Sequence, residues 1–189
     1  MNQNPDQFQF VFNCRQEGIP FLLDQCQEYI NKNAEQSSVE PALLSKIKWV
    51  LTELLTNAVK HSETAECMLS MSWENGQLVI EKQDAGLPLT LYNPANETQI
   101  TWPLNPDKII EDFQIYHNGM DSLRVNIEND NLATFYTEEL PESHMPALLL
   151  DTSEHFGLLI ITKASDAFIY QYIHEGNLNK FQVRFNVNT

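Results

Sequence analysis

The chain is poor in cysteine, in positive charge and in long apolar runs, and each shortage removes a class of function. Its three cysteines, Cys14, Cys26 and Cys67, are an odd number with neither CxxC nor Cys/His ligand spacing. A disulfide framework and a structural zinc site are therefore disfavoured, and buried or half-buried free thiols are expected. Eleven Lys and Arg against 26 Asp and Glu give a formal net charge of −15. Nucleic acids and anionic membranes both call for a basic surface, so neither is an expected partner. No apolar run approaches the roughly 20 residues that span a bilayer. The opening MNQNPDQFQF has neither a basic n-region nor an apolar h-region, so no secretory signal is read and the cytoplasm is the expected location.

What is present is a chain of 189 residues, 42% hydrophobic, which suits one domain with an insertion. Phe8 to Cys14 reads as a strand. Ile19, Phe21, Leu22, Leu23, Cys26, Tyr29 and Ile30 then recur at helical spacing, and that helix should end near Asn33. After a polar connection at 35–40, Pro41 opens a second helix running to about His61, with Leu43, Ile47, Val50, Leu51, Leu54 and Ala58 as its apolar stripe. Residues 65–73 and 77–84 read as strands joined at Asn75-Gly76, the pair a type I′ hairpin turn requires. Near the end, a helix is expected over Phe156 to about Ala167, then strands at 168–174 and 180–187 around Glu175-Gly176-Asn177.

The middle differs in character. Residues 90–154 carry twelve acidic side chains against only Lys108 and Arg124. Pro88, Pro94, Pro103 and Pro106 punctuate an expected loop, and alternating runs at 113–117, 121–128 and 132–138 predict a small meander. This acidic insertion either offers strand edges and negative charge to a basic partner, or simply keeps the protein soluble.

Three short elements carry candidate chemistry. On the second helix Glu53, Asn57 and Lys60 fall at i, i+4 and i+7 and share one face beside the buried stripe. On most helices such a set is only a solvated edge. The strand Val79-Ile80-Glu81-Lys82-Gln83 ends in Asp84-Ala85-Gly86-Leu87-Pro88. A strand-end Asp can accept from an exocyclic amine, and glycine lets a flat ring approach the backbone, although an ordinary Asx-turn has the same pattern. His155-Phe156-Gly157-Leu158 opens an apolar helix whose free N–H groups suit a phosphate.

Together and in this order, ELLTNAVKH at 53–61, DAGLP at 84–88 and FGLLII at 156–161 resemble the motifs of the GHKL (Bergerat-fold) histidine-kinase-like ATPases. The branch they most resemble holds the bacterial anti-sigma factor serine-protein kinases. The resemblance covers about 8–88 and 154–188 and leaves the acidic segment 90–154 in the lid position. It implies a single α/β domain over 1–189: a two-layer sandwich with a mixed, mostly antiparallel sheet, helices on one face and a long inserted lid.

It also implies ATP and Mg²⁺ as cofactors. Glu53 corresponds to the family's general base and Asn57 to its Mg²⁺ ligand. Lys60 and His61 match the basic end of that motif near the phosphates, or else serve as cations at a helix C-terminus. Asp84 corresponds to the residue that reads the adenine amine and Gly86 to the glycine beneath the ring. Gly157 and Leu158 correspond to the end of the glycine motif at the triphosphate. Two departures concern the phosphate and adenine ends. The family's Gly-x-Gly is His155-Phe156-Gly157 here, and its last-strand Thr or Ser is Gln182. If position 155 needs a left-handed backbone, a non-glycine residue costs roughly 1–2 kcal/mol there.

The function so implied is an ATP-binding regulator that engages a sigma-factor-like or antagonist-like protein and transfers the γ-phosphate to a partner serine. A homodimer is left open. The alternative is a degenerate ATPase-fold module acting only through protein contact. A sensor kinase's catalytic module is less expected, because no helical phosphoacceptor segment precedes the first motif.

Overall fold

The computed structural model describes residues 8–33, 39–93, 97–105, 112–141 and 155–187. In chain order the elements are β1 (Phe8–Phe12), α1 (Ile19–Asn33), α2 (Pro41–His61), β2 (Cys67–Glu74), β3 (Gln77–Asp84), β4 (Thr90–Asn93) and β5 (Thr98–Thr101). There follow β6 (Asp112–His117), β7 (Asp121–Asn129), β8 (Leu132–Glu139), α3 (Phe156–Ala164), β9 (Ala167–Ile173) and β10 (Leu178–Asn186). Eight strands form one sheet in the order β1-β2-β3-β10-β9-β8-β7-β6, with β4 and β5 as a separate hairpin. All three helices pack on one face of that sheet.

Every neighbouring pair in the sheet is antiparallel, so the expected mixture with parallel strands is not found. The reason is local: β2–β3, β6–β7, β7–β8 and β9–β10 are hairpin pairs of consecutive strands, and β3 returns beside β10 in the opposite sense. The β2–β3 turn is set by Asn75 and Gly76, at φ 51° and 79°, the two positive values that a type I′ turn needs.

Helix α2 holds the layers together. Its buried face is Ile47, Val50, Leu51, Leu54, Leu55 and Ala58, the predicted stripe with Leu55 added and Leu43 only partly buried. Each large aliphatic side chain buried there contributes roughly 1.5–3 kcal/mol by leaving water. Helix α3 stops at Ala164, short of the predicted Ala167. Ser165 is extended, its Oγ donates to the Ile161 carbonyl at 2.7 Å, and Ala167 already pairs with Arg184 in the β9–β10 ladder. Among the described residues no helix is long and apolar enough to cross a membrane.

The described part of the acidic segment holds more strand than the sequence pattern predicts. Thr90–Asn93 and Thr98–Thr101, read from sequence as loop, form the β4–β5 hairpin. Leu91 within it and Trp102 after it are each 1% exposed, and the Trp102 ring meets Tyr170 edge-on at 5.3 Å. The predicted meander is present as β6–β8, and it is continuous with the main sheet. Leu132 to Phe135 pair with Gln171 to Phe168 on β9, and Phe135 stacks on Phe168 at 4.6 Å. Most of the polar connection expected at 35–40, and residues 142–154 of the insertion with Pro146, lie outside the described residues.

Candidate functional site

A cavity of about 410 Å³ opens on the helix side of the sheet, bounded by α2, the end of β3, the β4–β5 hairpin, α3, β9 and β10. Its walls are apolar, with Leu54, Leu89, Leu91, Leu158, Ile161 and Phe168 among them. Its polar groups are few: Asn57, His61, Ser62, Lys82, Asp84 and Asn179, with Thr90, Thr101 and His155. An apolar slot with a small polar set is the usual make-up of a small-molecule site.

Asp84 is placed by strand periodicity. Ile80, Lys82 and Asp84 alternate onto one face of β3, so the last two turn toward the cavity. Both are buried, with side-chain exposures of 5% for Lys82 and 2% for Asp84, and they form an ion pair through Asp84 Oδ2. That ammonium is the one polar partner of Asp84 Oδ2 among the described residues. Oδ1 accepts from the Gly86 N–H at 2.9 Å and from Asn179 Nδ2 at 3.2 Å. Asn179 Nδ2 also reaches the Gly86 and Leu87 carbonyls at 3.2 and 3.1 Å, while its Oδ1 accepts from the Tyr170 hydroxyl at 2.7 Å. Burial raises the Tyr170 pKa, so this hydroxyl remains a donor.

Gly86 has a structural task. A Cβ there would lie 1.8 Å from the Ser62 carbonyl oxygen, and the next residue, Leu87, donates its N–H to that same oxygen at 2.9 Å. The loop after β3 is thus docked on the residue that closes α2. Gly157 plays a similar part between helices: a Cβ would stand 2.6 Å from Glu53 Oε2 and 3.5 Å from Asn57 Oδ1. Glycine at 157 lets the start of α3 sit on the face of α2 that carries both side chains.

The structure therefore brings Asn57, His61, Asp84 and Leu158 to one cavity, with Gly86 and Gly157 as the close contacts that set its edges. Glu53 does not line the cavity; it abuts Gly157 instead. Lys60 is exposed in the last turn of α2, where a cation is favoured whatever else it does.

Two sequence expectations change. His155, at φ −106°, is not left-handed, so the condition for strain there is not met, and its side chain lines the cavity. Gln182 does not line the cavity. Its amide donates to Glu81 Oε1 at 2.6 Å, while Asn179 and Phe181, of opposite strand parity, line the cavity.

Sequence reasoning missed Lys82, Ser62 and Asn179. The alternation of β3 was signal enough for Lys82, since it stands two residues before Asp84. Asn179 gave no such signal.

Among the described residues no three His, Cys, Asp or Glu side chains are grouped to hold a metal. Where α2 meets the start of α3, the side-chain oxygens are those of the Asn57 amide and, against Gly157, the Glu53 carboxylate. That sparse set suits a Mg²⁺ ion, which keeps waters and takes most of its other ligands from phosphates. Burial pushes the Cys67 and Cys26 thiols each up to about 12, so both stay protonated. The chain matches no protein-family model and no curated protein.

Proposed function

We propose that the chain is an ATP-binding regulatory protein of the GHKL, Bergerat-fold type, acting in the cytoplasm on a sigma-factor-like or antagonist-like partner protein. One observation carries the proposal. Side chains from three motifs far apart in sequence, Asn57 and His61, Asp84, and Leu158, line one apolar cavity whose buried polar groups are Ser62, Lys82, Asp84 and Asn179. A purine ring fits such a slot, with its amine edge toward Asp84 and its phosphates toward Asn57, His61 and the start of α3.

Asn57 would hold Mg²⁺, which when bound neutralises phosphate charge. Glu53, one turn away on α2, is the residue to orient a partner's serine hydroxyl. A second reading, a nucleotide-responsive module that works by protein contact without phosphoryl transfer, is favoured by the position of Glu53. Its carboxylate stands against Gly157 and does not line the cavity.

Calorimetric titration with ATP, with and without Mg²⁺, tests the reading. Binding that depends on Mg²⁺ in the wild type and loses that dependence in Asn57→Ala is the expected result. No heat at millimolar ATP removes the nucleotide from the proposal. Phosphoryl transfer to a partner that persists in Glu53→Ala removes Glu53 as the base.

A further inference from the structure

The cavity holds a buried cation that the motif resemblance does not account for. Lys82 lies in the floor with its ammonium on Asp84 Oδ2 and 4.6 Å above the Phe181 ring. Phe181 is itself a lining residue, so the pair is held at the foot of an apolar wall. We infer that Lys82 is a base-reading residue: its ammonium donates to the ring-nitrogen acceptor beside the amine of a 6-aminopurine, while Asp84 accepts from that amine. This rests on the nucleotide reading above and names what selects the base.

The hydrogen-bond capacity of the pair supports the assignment. A carboxylate has about four lone-pair sites. Asp84 uses two, both on Oδ1, for the Gly86 and Asn179 donors. The buried Oδ2 makes no hydrogen bond among the described residues and has one side taken by its ion-pair contact with Lys82, which leaves a single site there. Lys82 has three N–H donors and turns one side to Asp84, so donors remain next to that site. One acceptor beside a donor is the complement of adenine's edge, where an exocyclic amine adjoins ring N1. Guanine offers two adjacent donors, N1–H and the 2-amino group, to a carboxylate with room for one. Its second donor would be buried without a partner, which a site of this kind rejects.

The geometry also explains why a lysine is tolerated there. An ion pair this deep gains little for folding over an apolar replacement. Its donor and acceptor become useful when both face a ligand edge.

The test compares ATP with its 1-deaza analogue, in which ring N1 is a C–H, by calorimetry on the unmodified chain with Mg²⁺ present. We expect the analogue to bind about tenfold or more weakly, since it leaves a buried ammonium donor facing carbon. Lys82→Met, first shown by its thermal transition to be folded at the titration temperature, should bind the two equally. Equal binding of ATP and the analogue by the wild type overturns the inference and leaves the nucleotide reading standing. An undiminished preference for ATP in folded Lys82→Met overturns it as well, because N1 is then read by another group. Failure of the wild type to bind either compound overturns the nucleotide reading and this inference with it.

Discussion

The two halves of the sheet differ in how deep their ion pairs reach, although β3 and β10 also carry the shallower pair Lys180–Glu81, each side chain 21% exposed. In the half built from β1, β2, β3 and β10, the pair Lys82–Asp84 is almost wholly removed from water. In the half built from β6 to β8, Arg124 pairs with Asp112, at side-chain exposures of 27% and 34%, and reaches Glu138 at 3.6 Å. The Tyr136 hydroxyl joins that surface cluster. Exposed pairs of this sort are worth roughly 0–1 kcal/mol and are screened by salt. Buried ones carry a large desolvation cost that their attraction at best offsets. Pairs as shallow as those of the meander cost little desolvation, so the buried pair is the one whose presence the proposed ligand site would explain.

Breaking that pair should give the largest effect in the molecule. Lys82→Met leaves the Asp84 carboxylate buried without its cation, and losses for half-removed buried pairs run to about 3–5 kcal/mol. Lys82→Met combined with Asp84→Asn should recover most of this. The amide oxygen introduced by the second change can still accept from Gly86 and Asn179, and no charge remains. Urea unfolding of the wild type and both variants measures it. A double variant no more stable than the single one would mean that the lysine stem, not the charge pairing, supplies the stability.

The next effect comes from the loop that carries Asp84. In Gly86→Ala the new methyl meets backbone at Ser62, which cannot swing aside as a side-chain end can. Overpacking of this kind costs about 1–3 kcal/mol. It should also lift the loop off α2 and weaken the proposed ATP binding in parallel, since the Gly86 N–H is one of the donors holding Asp84. Thermal unfolding alongside titration checks both. A stability loss with unchanged ATP affinity would separate the loop's docking from the site.

Most of the architecture was legible where a local pattern forces a local structure. Asn75-Gly76 announced its hairpin, the 3.6-residue stripe announced α2, and the alternation of Leu123, Val125 and Ile127 announced β7. What escaped was decided by distant partners. The β4–β5 hairpin is only four residues a side and set among prolines, so its alternation is too short to read; Leu91 and Trp102 owe their burial to Tyr170 and the core. The joining of β8 to β9 depends on an edge pairing that no local pattern in either strand encodes.

The site divides in the same way. Asn57, His61, Asp84 and Leu158, which share the cavity, were named from motif order. The reason for Gly86 is a contact with Ser62, and the neighbours of Asp84 come from β3 and β10. Only the fold brings those together.

The smallest effect sharpens the comparison at its boundary, where Asp121 of the meander meets Lys163 of α3 at 2.6 Å. Asp121 is buried, but Lys163 is about half exposed, so solvent screens the pair more than the one beneath the cavity. The Lys163 hydrogen bond, helped by Asn118, holds the Asp121 carboxyl below its ordinary value of 3.8 against the opposing effect of burial. A carboxyl with a depressed folded-state pKa adds stability that is fully present above its unfolded value and is lost as pH falls through the folded one. Asp121→Asn should therefore be less stable than the wild type at pH 7, and the gap should close as the pH is lowered below about 4. Thermal midpoints across pH 2 to 7 would follow it. A gap that stays constant in acid would show that Asp121 works through its hydrogen bonds with Asn118, which an amide partly reproduces, and not through charge. The surface cluster around Arg124 shapes the meander at little desolvation cost, whereas the pair under the cavity carries a larger one, which the proposed ligand would put to use.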